Sequence, residues 1–475
     1  MPSYRYDPLS AQDNSFLVGE TPDTHMHVAG LQIFELGDLT TDQGGVDIDA
    51  LRAKIESILH LIPRYRQKIQ WTPVTGDPVW VDDPDFNLDY HLRHTSLPRP
   101  GSLKQLKQLA ARVMAQQLDR ERPLWEMWVV EGLGGDRFAM VSKIHHCMID
   151  GMSGVDLAQI LMSTKPEKEV PEPVRYIPKP APTGRELLLD TIQRRVSLPL
   201  RAIRSYRAFR RETEDLNEEL RIRFKAISDL VMQAMDPPSE TPLNGEIGPH
   251  RRFDWLSMPL AEVKRVRKAA EATVNDVVLN TAAGAFRRYM IHRNCDPAEI
   301  KFRVSAPVSM RSEEERGKMG NRVSVWQVDL PLEIEDPIER LQVIHETTRE
   351  LKDQNSALGV DMIMKVAEWT PPVLLSLGAR AAGSQTNSII TNVPGPQFPL
   401  YMMGAKLVEM MPVVPLLAGV GLGLALFSYD GRLTWGINAD YNLVPDLPLF
   451  TEMVKESFVE FADRVGVEVS GELAA

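Results

Sequence analysis

The feature that most constrains what this 475-residue chain can fold into is a break. Between Lys165 and Gly184 six prolines are interleaved with charged side chains. Proline fixes φ and has no amide donor, so such a stretch neither sustains a helix nor enters a central strand. It reads as an exposed crossing linker. On either side the chain alternates strand-like and helix-like segments. Before the break, His27–Phe34 reads as a strand. Val46–Leu61 reads as a helix, with Ile48, Leu51, Ile55, Ile58 and Leu59 near helical spacing. A second helix over Leu103–Leu118 precedes strands at Trp125–Val130 and Arg137–Ile144. After the break, Thr273 reads as the N-cap of an apolar helix over Val277–Tyr289, with Asp276 three residues on. Strands follow at Phe302–Val308 and Val323–Leu330. Gly421–Tyr429 and Arg432–Ile437, around Asp430-Gly431, carry a strong hairpin signal. The length is too great for one core and predicts two domains of roughly 200 residues each. The expected division is 1–164, a linker and helical segment at 165–250, and 251–475.

The segment behind the prolines differs in charge from the rest. Arg185–Met235 is rich in helix formers, interrupted at Pro199 and ended by Pro237-Pro238. From Arg185 to Arg211 there are eight arginines against Glu186 and Asp190, a net of +6, whereas the whole chain carries −11. Leu187, Leu188, Ile192, Val196, Leu200, Ile203, Tyr206 and Phe209 supply an apolar stripe. Two readings stay open: a basic amphipathic helix lying on an anionic lipid surface, or a domain-bridging helix packed on its own protein. The acidic balance disfavours nucleic acid as a partner. Two cysteines, Cys147 and Cys295, imply no disulfide framework and point to a reducing compartment. The polar start Met1–Asp7 has no signal-peptide pattern. Met411–Phe427 is interrupted by prolines and glycines and is short of the roughly 20 residues of a spanning helix.

Chemistry concentrates in Lys143-Ile144-His145-His146-Cys147-Met148-Ile149-Asp150-Gly151. Phe138–Val141 reads as a buried strand, so the histidines emerge at its C-terminal end. Adjacent residues on extended backbone face opposite ways, so only one imidazole can face a given cleft. That argues against a two-histidine metal site and leaves two readings open: one histidine suited to proton transfer near neutral pH, or a pair of ordinary hydrogen-bonded histidines beside a turn at Asp150-Gly151. No metal is expected elsewhere, because His25-Met26-His27 and His91–His94 lack accompanying cysteine or carboxylate ligands. Gly151-Met152-Ser153-Gly154 departs from the G-x-S-x-G elbow, which removes the main support for serine-hydrolase chemistry. Gly419–Gly423 lies inside a strand-like run, so it is not expected to be a phosphate loop.

The spacing His145-His146-x-x-x-Asp150-Gly151 is the signature of the CoA-dependent acyltransferase superfamily, and other segments resemble one branch of it. That branch is the bacterial wax ester synthase/diacylglycerol acyltransferases. Leu9–Leu17 is similar to its opening motif, with Ala11 where proline is usual. Pro123-Leu124-Trp125, Asn275-Asp276, Ser305–Arg311, Gly320-Asn321 and Asn392–Pro396 follow in the family's order. The resemblance implies an α/β (α+β) fold of two chloramphenicol-acetyltransferase-like domains, mixed sheets with flanking helices, and a site at their interface. It implies transfer of a fatty acyl group from acyl-CoA, a co-substrate with no cofactor needed, to a long-chain alcohol or diacylglycerol. His146 would be the general base and His145 would support its geometry. Asp150 and Gly151 would shape the loop, Asp150 through a basic partner. Asn275 is the candidate donor to the oxyanion, with helix capping as the alternative, and Asp276 is a cap rather than a catalyst. Cys147 reads as a small buried filler. Pro123, Leu124 and Trp125 either wall an acyl tunnel or pack the core. Asn392, Pro394 and Gly395 read as a rigid turn after the strand Ser388–Ile390, at the CoA or acceptor entrance. A cytoplasmic enzyme, peripheral on the inner membrane or lipid inclusions, is expected. The alternatives are esterification of another lipid or polyketide-derived alcohol, and a catalytically inactive lipid-inclusion surface protein.

Overall fold

The computed structural model describes residues 6–148, 160–192, 236–309, 323–355 and 385–470. Asp150, Gly151, the basic segment beyond residue 192, Met310-Arg311 and Gly320-Asn321 lie outside the described residues.

Two six-stranded sheets organise the chain. The first contains β2 (His27–Glu35), β5 (Leu92–Ser96), β6 (Trp125–Leu133) and β7 (Arg137–His145). Two strands from far along the chain, β12 (Tyr401–Met402) and β13 (Ala405–Val413), complete it in the order β12-β13-β2-β7-β6-β5. The second sheet contains β8 (Arg251–Pro259), β9 (Phe302–Ser309), β10 (Val323–Leu330), β11 (Ser388–Pro394), β14 (Leu422–Tyr429) and β15 (Arg432–Asp440). Its order is β10-β9-β11-β14-β15-β8. A small third sheet, β1-β4-β3, joins β1 (Asp7–Pro8), β3 (Gln67–Trp71) and β4 (Pro78–Asp82).

The helices are α1 (Ala11–Gly19), α2 (Ile48–Ile58), the short α3 (Leu88–His91), α4 (Leu103–Met114), α5 (Leu260–Ala269), α6 (Val274–His292), α7 (Pro337–Asn355) and α8 (Leu447–Arg464). Their starts follow from capping. Ser102 and Gln105 form a capping box at α4, as Thr273 and Asp276 do at α6, so two orphan amide donors are satisfied at each start. α4 ends at Met114, earlier than its apolar pattern indicates. The described basic stretch is helical over 184–192. There Leu187 is fully buried against Tyr6, Val79 and Val81. That contact anchors the start of the helix to the small sheet.

β14 reads as an uninterrupted apolar run because it is buried on both faces between β11 and β15. The β14–β15 turn has positive φ at Asp430 (40°) and Gly431 (81°), the backbone that such a tight hairpin demands. One expectation is corrected here. Asn392, Val393 and Pro394 are not a turn: they extend β11, opposite Leu426, Phe427 and Ser428 of β14. Proline is tolerated there because it ends the strand.

The two sheets are not two consecutive stretches of chain. β13 leaves the second half and pairs with β2 in the first. Its return brings Pro412 against β15 so closely that a Cβ on Gly436 would lie 1.7 Å from the Pro412 carbonyl oxygen. Only glycine fits that crossing. A shared apolar cluster then joins Leu106 and Ala110 of α4 to Phe253 and Trp255 of β8. Lys107 and Asp254 add an ion pair of 2.5 Å across the same junction.

Candidate active site

The end of β7, between His145 and His146, separates the two histidines. His145 is the last residue of the strand, opposite His27 of β2, and is 1% exposed. Its amide donates to the Leu124 carbonyl at 2.9 Å. Its Nδ1 accepts from the Cys147 amide at 3.3 Å and lies 3.0 Å from the Cys147 Sγ. With Nδ1 accepting, the ring proton belongs on Nε2, which lies 3.7 Å from Glu20. Glu20 is gripped by Arg120 through Nε at 3.1 Å and Nη2 at 2.6 Å. Burial alone would push its carboxyl upward, but His145 and Arg120 hold it down to about 2. His145 is therefore held through its amide and Nδ1, with Nε2 facing the Glu20 carboxylate.

His146 opens a 3-10 turn, His146–Met148, and is only partly buried. Its amide donates to the Met26 carbonyl at 2.8 Å, and its ring stacks on Phe16 of α1 with centroids 3.9 Å apart. Burial first, and the neighbouring His145 second, push its pKa down to about 4. The imidazole is then neutral at physiological pH and carries a lone pair able to accept a proton. Cys147 is fully buried, and burial raises its thiol well above the ordinary value, so it stays protonated.

The Pro123–Trp125 segment frames this turn from behind. Leu124 and Trp125 are 0% and 1% exposed, and Pro123 is buried. Trp125 donates from its indole to the Tyr65 carbonyl at 2.9 Å and stacks on His91 at 4.5 Å. His91 in turn bonds the Trp125 carbonyl at 2.8 Å. Its packing role is evident, and truncation of Trp125 to Ala would cost roughly 3–5 kcal/mol.

α4 is fixed to the same strands by its carboxyl end. Lys143, fully buried, donates to the Val113 and Gln116 carbonyls at 3.1 and 2.7 Å. His27 and His25 bond the Met114 and Ala115 carbonyls at 2.9 and 3.0 Å. The Met114, Ala115 and Gln116 carbonyls would otherwise be orphaned at a buried helix end. His25 and His27 are thus helix-capping groups. Among the described residues, no group of three His, Cys, Asp or Glu could hold a metal.

Asn275 sits in the first turn of α6, partly buried, and its side chain makes no hydrogen bond among the described residues. Asp276 beside it is 1% exposed and accepts from Thr273 N, His345 Nδ1 and Thr348 Oγ1, each at 2.9 Å. Burial pushes its carboxyl up, but these bonds outweigh it and hold the pKa below the usual value. No hydrogen bond among the described residues joins Asn275 to His146. Gly395 closes β11 against β14, where a Cβ would lie 2.3 Å from Phe427 Cζ. Phe427 shares an apolar cluster with Cys147 and Met148, so the Asn392–Gly395 strand end and the histidine turn belong to one packed unit.

Sequence reasoning missed Glu20, Arg120 and the role of Phe16. Phe16 lay inside the opening motif, but nothing local pairs it with His146. Glu20 and Arg120 are a hundred residues apart, and only the fold joins them.

Residues 9–278 match the wax ester synthase/diacylglycerol acyltransferase catalytic domain, and residues 319–462 match the WS/DGAT C-terminal domain. A Mycobacterium tuberculosis protein named as a diacylglycerol O-acyltransferase is 31% identical over 92% of this chain and 87% of its own length. Another from that organism, named likewise, is 32% identical over 97% of each chain. Among solved structures, the wax ester synthase/diacylglycerol acyltransferase of Marinobacter aquaeolei VT8 superposes with a TM-score of 0.69 at 26% identity, over 97% of this chain and 100% of that one. A condensation domain of the calcium-dependent antibiotic synthetase shares the fold, with a TM-score of 0.61 at 16% identity over 100% of both chains.

Proposed function

Because the chain belongs to the wax ester synthase/diacylglycerol acyltransferase family and is an acyltransferase, we propose that it moves a fatty acyl group from acyl-CoA to the hydroxyl of a long-chain alcohol or diacylglycerol. The products are a wax ester or triacylglycerol and free CoA. The reading rests on one observation above the others: a neutral, partly accessible His146 held at the end of β7 by Met26 and Phe16.

A neutral hydroxyl is a weak nucleophile, so a base must take its proton as it attacks. His146 is that base. The new C–O bond forms at the thioester carbon and leaves a tetrahedral oxyanion, for which Asn275 is the donor. The C–S bond then breaks, the carbonyl reforms, and the proton held by His146 passes to the departing CoA thiolate. His145 orients this turn and does not itself exchange protons with substrate, since it is 1% exposed. Asp150 and Gly151 complete the loop. Acyl-CoA is a co-substrate, and no cofactor enters the reaction. The acceptors are nearly insoluble, so the enzyme meets them at a membrane or lipid-inclusion surface as a peripheral protein. Among the described residues no helix is long and apolar enough to cross a membrane.

Incubation with palmitoyl-CoA and either hexadecanol or a diacylglycerol, following CoA release, tests the reading. Acceptor-dependent release by the wild-type chain and its loss in His146→Ala are expected. Release without an acceptor, or full turnover by a folded His146→Ala variant, overturns it.

A further inference from the structure

A cleft of about 560 Å³ opens where α4 meets β8, apart from the histidine turn. Lys104, Lys107 and Arg112 project from α4, and His250, Arg251 and Arg252 come from the approach to β8 and its start. Among the described residues the only carboxylate lining it is Asp254, already occupied by Lys107 at 2.5 Å and by the Thr451 hydroxyl at 3.1 Å. Lys107 is spent on Asp254, Arg251 is buried against Asp440 and three backbone carbonyls, and Arg252 bonds the Tyr441 carbonyl and covers its ring, which leaves Lys104 and Arg112 as the cations the cleft does not use. Lys104 and Arg112 are exposed one helical face apart from the core stripe, and neither side chain has a partner among the described residues. Two exposed cations without a partner in one concavity repel each other and attract an anion. The floor is apolar, formed by Ala111, Ala115 and Phe253.

The inner wall of this cleft abuts the loop that precedes β2. Arg251 donates to the Asp23 carbonyl, and the Ala115 carbonyl is bonded by His25. Between those points runs the loop whose Met26 carbonyl holds the His146 amide. A ligand seated on the cations is therefore one loop away from the base.

Resting on the reading of acyl-CoA as donor, we propose that this cleft binds the phosphorylated nucleotide end of the donor. Lys104 and Arg112 contact its phosphates, while the apolar floor takes the nucleoside. The flexible arm of the donor then carries the thioester past the Asp23–Met26 loop to His146.

The double variant Lys104→Glu/Arg112→Glu tests this, since neither side chain supports the fold. Binding of adenosine 3′,5′-bisphosphate, measured by calorimetry without any acyl substrate, should fall at least tenfold. With palmitoyl-CoA, KM should rise by about tenfold while kcat changes less than twofold, the pattern of lost uniform binding. Wild type should also prefer palmitoyl-CoA to its 3′-dephospho analogue, and the variant should lose that preference. Unchanged nucleotide binding and unchanged KM in the variant overturn the proposal. So does loss of sedimentation with phosphatidylglycerol vesicles while KM holds, because the cations would then serve lipid headgroups. Nucleotide binding by a wild-type chain with no acyl-CoA turnover would leave this cleft standing and sink the donor reading instead.

Discussion

At the residue scale, two adjacent imidazoles have different surroundings because His145 ends β7 and His146 opens the 3-10 turn that follows. His145 is enclosed by Leu124, Cys147 and Glu20, whereas His146 turns outward beneath Phe16. If His146 is the base, His146→Ala should lose about two to four orders of magnitude in kcat, with the thermal midpoint nearly unchanged. The free-enzyme pKa pushed down to about 4 gives the pH dependence its sign: the neutral form persists as pH falls from 8 to 6. kcat/KM should therefore be flat over that interval, and a fall with a midpoint near the ordinary histidine value would assign the titration to another group. Cys147, protonated and buried, should be dispensable for chemistry. Cys147→Ala should stay active, and mass spectrometry with acyl-CoA alone should find no acyl adduct on the intact chain.

The elements show which parts of this arrangement could be read locally. Ser102-x-x-Gln105 and Thr273-x-x-Asp276 announce helix starts because capping is satisfied within four residues. The apolar pattern of α4 runs on to Leu118, but the helix ends at Met114, where its carbonyls are met by His25, His27 and Lys143 from a distant loop and two strands. Asp276 likewise has a cap role legible in the sequence and a tie to His345 and Thr348 that is not. Asp276→Ala should accordingly lower stability by about 1–3 kcal/mol, since buried donors lose their acceptor. Asn275→Ala should leave stability unchanged and reduce kcat about a hundredfold or more, the scale of a lost oxyanion donor. Denaturant melts beside steady-state kinetics separate the two neighbours. Between residues 193 and 211 the sequence carries seven arginines and no carboxylate. Reversal of Arg204, Arg207, Arg210 and Arg211 to Glu should weaken sedimentation with anionic vesicles, and unchanged binding would make that segment only a bridge.

The whole molecule stores several histidines in their neutral form. Burial lowers the pKa of His25, His27, His91 and His146, the last two to about 4. A group whose folded pKa lies below its unfolded value contributes stability that is present above the unfolded pKa. That stability is lost as pH falls toward the folded one. The depressed Glu20 carboxyl acts in the same direction at lower pH. Between pH 7 and 5 the thermal midpoint should fall, with His91 alone accounting for on the order of 2 kcal/mol at pH 5. A midpoint that holds steady across that range would mean these imidazoles titrate without burial.

Patterning by itself determined strands such as β2, β6, β7, β9 and β10, the helices α2, α4 and α6 with the Thr273 cap of the last, the hairpin at Asp430-Gly431 and the emergence of His146 at a strand end. Each of these depends on residues a few positions apart, where periodicity and turn chemistry act. The tertiary structure alone decided that β13 crosses to pair with β2, that Asn392–Pro394 is strand, and that Glu20 and Arg120 meet at His145. It also decided that α4 and β8 gather their cations into one cleft. Those contacts join residues tens to hundreds of positions apart, and burial between packed sheets, not local preference, selects them.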